Sequence, residues 1–150
     1  MIVFRIALAK YADKLIASGN AARWNSKDVQ VIYTAQSRAL ACLENVVHRN
    51  SRGQQENFRT IIVEIPDNLK ITIINTSDLI EDWKSFANVP FTQGLGNKWV
   101  KEASSAILRV PSVIVPEEHN YILNPAHEYF KKIKYIANEP FQFDSRIKES

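Results

Sequence analysis

The chain has one cysteine, four glycines and no long apolar run, and each shortage removes a class of protein. With Cys42 alone, no intrachain disulfide can form, which fits a reducing compartment and a cytoplasmic protein. No stretch approaches the ~20 apolar residues of a membrane span. The opening residues 1–9 have no basic lead and carry Arg5 inside the apolar run, so they do not read as a signal peptide. Gly94 and Gly96 form a lone GxG, and neither GxGxxG nor GxxxxGK occurs, so a Rossmann or Walker phosphate loop is unsupported. The histidines, His48, His119 and His127, make no HExxH, and with one cysteine they give no zinc-site spacing. A GxSxG elbow is also missing, although Ser112 follows Pro111 at a strand break where a hydroxyl could be exposed.

What is present is ordinary for a soluble globular protein: 150 residues, 45% hydrophobic and 23% charged. That length predicts one domain over residues 1–150. A chain of this size buries about 68–70% of its unfolded surface, so neither disulfide nor metal is needed for stability. The net charge of +3 is unevenly spread. Residues 1–60 hold nine Lys or Arg against four Asp or Glu, and residues 61–150 hold ten against twelve. The first part therefore favours an anion: a phosphate-bearing small molecule, nucleic acid or an acidic partner. The excess is too modest to argue for nucleic acid by itself, and Lys131-Lys132-Ile133-Lys134 reads as a solvated face.

Along the chain, residues 3–6 read as a strand and 9–17 as a helix stopped by Gly19. Residues 29–34 form a strand. Ser37 is an N-cap for a helix reaching Arg49, with Leu40, Leu43 and Val47 as its core stripe. Residues 49–57 are a polar loop. Strands at 58–65 and 70–75 form a hairpin over Pro66-Asp67-Asn68. A short helix at 78–86, a glycine-bearing loop at 90–97 and a helix at 98–104 follow. Strands are expected at 106–110, 113–115, 120–123 and 141–143, with 129–136 either a helix running into a strand or one strand. Many short strands, few helices and no regular βαβ alternation predict an α+β fold with mixed or antiparallel sheet and short helices.

The densest chemistry lies in residues 20–48. Arg23 sits in an Asn- and Ser-flanked turn beside Trp24, Tyr33 ends the β-like run from Val29, and Glu44 lies in the following helix at the edge of its apolar stripe. An arginine, a phenol and a carboxylate at one end of a strand–helix unit could hold an anionic ligand that carries an aromatic ring. Taken singly, each fits a structural role at least as well. His48, one turn beyond Glu44, fits the polar boundary of an amphipathic helix.

Five segments, in order, resemble the RES-domain family. They are Phe4-Arg5-Ile6, Arg23-Trp24-Asn25, Val31-Ile32-Tyr33-Thr34-Ala35 with residues 39–44, Val110-Pro111-Ser112 with Asn120-Tyr121-x-x-Asn124-Pro125-x-His127, and Phe143-Asp144-Ser145-Arg146. Together they span nearly the whole chain. This family, named for an arginine, a glutamate and a serine, is the toxin half of a class of bacterial toxin–antitoxin pairs. Ala21 and Ala22 stand where it usually carries glycines, and if that turn takes positive φ, alanine strains it and displaces Arg23. The resemblance implies a fold related to ADP-ribosyltransferase toxins and NAD as substrate, with no metal. It also implies a cognate antitoxin with an Xre-type helix-turn-helix. No direct contact of this chain with nucleic acid or membrane is expected, and the oligomeric state is left open, a homodimer included.

Within that frame, Arg5 and Arg23 are expected at the pyrophosphate, where guanidinium gives bidentate, permanently charged contacts. Tyr33 would stack on nicotinamide. Glu44 would stabilise positive charge on the ribose as nicotinamide leaves. Ser112 would meet the nicotinamide amide or position the acceptor, and Asn120 and Asn124 would hold loops at the binding site. The expected reaction is cleavage of the nicotinamide–ribose bond, as a glycohydrolase or phosphorylase that depletes NAD; the alternative is transfer of ADP-ribose to a protein. Two readings from other classes stand beside it. One is a non-catalytic module for RNA or an acidic partner using the basic first 60 residues, with Trp24 and Tyr33 as stacking faces. The other is a ribonuclease toxin using Glu44, His48 and Arg23.

Overall fold

The computed structural model describes residues 1–48 and 57–147, so most of the loop expected at 49–57 lies outside the described residues. Seven strands form one sheet: β1 Ile2–Leu8, β2 Ile32–Ala35, β3 Phe58–Glu64, β4 Ile71–Ile73, β5 Ile107–Pro111, β6 His119–Leu123 and β7 Lys134–Phe141. Their order is β4-β5-β6-β2-β1-β3-β7, and every pairing is antiparallel except β4 with β5. Two helices, α1 Arg38–His48 and α2 Val89–Glu102, complete the α+β architecture that the element pattern predicts. Among the described residues, no helix is long and apolar enough to cross a membrane.

Alternation along the strands sorts the core onto two faces. One face carries Val3, Ile32, Ile61, Ile107 and Leu123 in a single buried cluster. The opposite face carries two smaller ones. Trp24, Trp83 and Trp99 pack with Leu108, Val110 and Ile122 beside α2. Ile6, Ala35 and Phe58 pack with Leu40 and Ala41 of α1, and Cys42 is half-buried against this third group. Between these two clusters the sheet is thinly joined. β1 runs in register with β3 from Ile2 opposite Glu64 to Leu8 opposite Phe58, yet it meets β2 only at Phe4 opposite Ala35.

Several expected elements form differently, each for a non-local reason. Residues 70–75 make no hairpin with β3, because β1 and β7 occupy both of its edges; β4 instead pairs with β5 at the far side of the sheet. The helix expected at 9–17 shrinks to a 3-10 turn, Ala9–Tyr11, because the Ala12 carbonyl accepts from the side chains of Tyr135 and Asn138. Residues 78–86 hold turns, with 3-10 pieces at Thr76–Asp78 and Phe86–Asn88, rather than a helix. Residues 90–97 are helix, not loop: α2 starts at Val89 with Pro90 in its first turn, where proline is tolerated. Residues 113–115 turn over Ser112 instead of resuming a strand. Residues 129–136 split into a 3-10 turn, Glu128–Lys132, and β7, which absorbs the final strand as far as Phe141.

Helix α1 begins where expected, with the Ser37 hydroxyl accepting from Leu40 N at 3.1 Å. Its stripe is rotated. Leu40 is fully buried, but Leu43 and Val47 are 42% and 59% exposed. The turn of the helix that faces inward beside Leu40 and Ala41 carries Glu44, drawn in by a buried hydroxyl described below.

Candidate functional site

A cleft of about 580 Å³ opens between the two smaller clusters. Phe4, Ile6 and Ala35 line it from one side, and Trp24, Tyr33 and Val113 from the other. Arg5, Arg23, Glu44 and Asn120 are among its polar groups, with Asn20, Thr34, Asn45 and His48 also on its wall. The volume lies within the ~300–1,000 Å³ typical of ligand sites.

Arg5 alternates with Phe4 and Ile6 along β1 and reaches the cleft through the opening between β1 and β2. Its Nη1 donates to the Tyr33 carbonyl at 2.9 Å, taking the place of a ladder bond that the parted strands do not make. Burial lowers its pKa, although guanidinium stays charged. Among the described residues, the bond to the Tyr33 carbonyl is the hydrogen bond its side chain makes.

Arg23 is presented by a tight turn in which Ala22 N donates to the Asn25 carbonyl at 3.0 Å. Asn25, 1% exposed, holds this turn from inside. Its amide donates to the carbonyls of Asn20, Ser26 and Val29, and its Oδ1 accepts from the Tyr33 hydroxyl at 2.6 Å. That hydroxyl also accepts from Trp24 N at 3.0 Å. The Arg23 side chain is itself restrained, with Nη1 donating to the carbonyls of Trp83 and Ser85 at 3.2 and 3.3 Å. Partial burial lowers the Arg23 pKa. The strain expected at Ala21 and Ala22 is absent: the non-glycine residues with positive φ among those described are Asp28 and Ala103, and Gly19 at φ +74° supplies the left-handed position upstream.

Tyr33 thus has two roles. Its hydroxyl is occupied by the turn, and its ring lines the cleft. Burial pushes its pKa well above the ordinary phenol value, and the nearby Glu44 charge pushes it further. It offers a flat face, not a proton.

Glu44 points inward from α1. Its Oε1 accepts from the Ser112 hydroxyl at 2.9 Å. Ser112 Oγ in turn accepts from the backbone N–H groups of Ile114 and Val115, each at 3.1 Å, so its single proton must face the carboxylate. Ser112 is fully buried and does not line the cleft, contrary to the exposed hydroxyl expected; it stands behind Glu44 and aims it. On the solvent side, Oε2 lies 3.6 Å from His48 Nε2, a group 72% exposed against 23% for Glu44.

Arg5, Arg23, Tyr33 and Glu44 therefore share one cavity, and Asn120 joins them with its amide donating to the Thr34 carbonyl. Asn124 does not. It follows the opposite end of β6, where its Oδ1 accepts from Ala126 N and its own N–H donates to the Ala106 carbonyl. Trp24 is 3% exposed and offers no stacking face to RNA. Sequence reasoning missed Asn25 and the residues of α2 that touch the Arg23 turn: Thr92, Gln93 and Asn97. A short polar face flanking Gly96 was the available signal, hidden by reading the segment as a loop.

A seven-strand mixed sheet with two helices, thinly joined between β1 and β2, and with guanidinium groups, a ring and a carboxylate lining one cleft at that join, defines an α+β protein with a pocket suited to an anionic ligand. The same fold occurs in the solved MbcT–MbcA toxin–antitoxin complex of M. tuberculosis, at TM-score 0.78 and 14% identity over 94% of this chain and 84% of that one. The chain belongs to the RES-domain family, whose model matches residues 2–144, and so to the toxins of toxin–antitoxin systems. It is 38% identical to the Prs ADP-ribosylating toxin of Sphingobium sp. (strain YBL2), over 91% of this chain and 88% of that protein. It is 33% identical to Toxin Res of Yersinia enterocolitica, over 99% of this chain and the full length of the relative.

Proposed function

We propose that residues 1–150 act as one RES domain that takes NAD into the cleft and breaks its nicotinamide–ribose bond in the cytoplasm. The observation that carries this reading is the Glu44 carboxylate, fixed by Ser112 on the wall of a cavity that also holds Arg5, Arg23 and the Tyr33 ring. Departure of nicotinamide returns the bonding pair to the ring nitrogen and leaves positive charge on the ribose. Glu44 stabilises that charge, and because Ser112 holds the carboxylate in place, little reorganisation is needed as the charge develops. Arg5 and Arg23 offset the pyrophosphate charge, and the Tyr33 ring faces nicotinamide.

Water or phosphate is the acceptor in this reading, so the chain depletes NAD. Transfer to a protein is the second reading, favoured by the 38% identity to a relative named as ADP-ribosylating. Incubating purified chain with NAD, following nicotinamide release and separating the products distinguishes the three acceptors. Glu44→Gln is expected to abolish release while retaining the fold; release at the unmodified rate overturns the assignment. The partner in this reading is an antitoxin of the Xre type, supported by the fold shared with a toxin–antitoxin complex. Co-purification with the product of the adjoining gene tests it.

A further inference from the structure

The geometry points to α2 as the element that sets affinity for the anionic part of the substrate, by fixing the height and direction of the Arg23 turn. This rests on the reading that Arg23 meets the pyrophosphate. Four residues spaced along one side of α2 meet the turn. The Thr92 hydroxyl donates to the Arg23 carbonyl at 2.6 Å, and Gln93 Nε2 donates to the Ala22 carbonyl at 3.0 Å. Asn97 Oδ1 accepts from Ser26 N at 3.1 Å, and its Nδ2 donates to Ser26 Oγ at 2.7 Å. Gly96 lies so close that a Cβ added to it would stand 1.7 Å from the Trp24 carbonyl oxygen. Positions 92, 93, 96 and 97 lie on one helical face, so a rigid rod grips the turn across its length.

The same stretch of chain holds the other end of the arginine. Trp83 and Ser85, whose carbonyls accept from Arg23 Nη1, lie just upstream of α2. Backbone and guanidinium of Arg23 are thus both set by residues 83–97. Glu44 is set by an independent apparatus, α1 and Ser112. Affinity for the anion and chemistry at the ribose are consequently separable: disturbing α2 should weaken binding and leave turnover at saturation intact. Thr92, Gln93 and Asn97 are positioning residues in this sense, since they act through Arg23.

The test uses Thr92→Val, which keeps the shape and removes the donor, with Thr92→Ser to restore it and Gln93→Met as a second variant at a less buried position. Steady-state NAD consumption and the binding of inorganic pyrophosphate by calorimetry are measured, with melting temperature recorded for each protein. Thr92→Val and Gln93→Met are expected to raise KM and the pyrophosphate Kd roughly five- to tenfold, the equivalent of one lost hydrogen bond, with kcat within about twofold. Thr92→Ser should return KM to the unmodified value. An unchanged KM in both variants, a fall in kcat alone, or no recovery in Thr92→Ser overturns the inference. Should Thr92→Val not fold, Gln93→Met decides. If the unmodified chain binds pyrophosphate without consuming NAD, the enzymatic reading fails while the Kd comparison still decides the role of α2. If it does neither, both fall together.

Discussion

Gly94 and Gly96 lie two positions apart in α2, yet an added methyl group meets different surroundings at each. At Gly96 it runs into the Trp24 carbonyl; at Gly94 nothing lies within 4 Å. Gly96→Ala is expected to cost ~1–3 kcal/mol through displacement of the turn, and Gly94→Ala to gain ~0.5–1 kcal/mol from helix propensity, both read by urea unfolding. Ser112→Ala removes the donor to Glu44 and leaves the N–H groups of Ile114 and Val115 without their acceptor. Its kcat for NAD should fall about tenfold or more with KM little changed, measured by nicotinamide release. The short ordered motifs named Arg5, Arg23, Tyr33 and Glu44 as partners, and the fold places them around one cavity. What the motifs left out is how the side chains are held. Asn25 sits inside the Arg23-Trp24-Asn25 motif, but its importance comes from Asn20, Val29 and Tyr33 closing around it, a relation visible only in three dimensions.

Helix α1 illustrates how a single polar contact can outweigh an apolar pattern. Spacing assigns Leu40, Leu43 and Val47 to the core, but only Leu40 is buried, because Glu44 faces inward to Ser112. Leu40→Ala is therefore expected to cost ~2–5 kcal/mol and Leu43→Ala under ~1 kcal/mol, compared by chemical denaturation. Helix α2 was illegible for the opposite reason. Its glycines resemble a loop, whereas Gly96 is required by close packing against another segment. Strands β1, β3, β5 and β6 were legible as short apolar runs, β3 from its β-branched residues, but their partners were not, since pairing joins residues far apart in sequence. At the start of β6, burial and the Arg109 charge lower the His119 pKa below 6.5, with Glu118 opposing them. The imidazole stays neutral in the fold at pH values where the unfolded chain protonates. Its stabilising contribution is complete above pH 6.5 and is lost as pH falls through the depressed value. Stability should therefore drop on acidification from pH 7.5 to 5.5 by less in His119→Gln than in the unmodified protein, as thermal melts at the two pH values would show.

Ligand and fold are coupled through the cleft, because its walls come from β1, β2, α1 and the Arg23 turn together. In Glu44→Gln, expected to bind NAD without consuming it, NAD at a hundred times its Kd should add about 2.7 kcal/mol of stability. Combining Glu44→Gln with Arg23→Ala should remove most of that gain at the same concentration; differential scanning fluorimetry reads both. The middle of the sheet gives this coupling a mechanical sense. Within the sheet itself, Phe4 opposite Ala35 and the Arg5 guanidinium link the left and right portions there, above a core cluster that spans both. A dinucleotide bound across that gap, as proposed, should rivet one portion to the other, making the idle toxin the softer molecule and the loaded toxin the stiffer. Amide exchange should slow at β1 and β2 when the cavity is filled, while the rungs between β3 and β7 keep their pace.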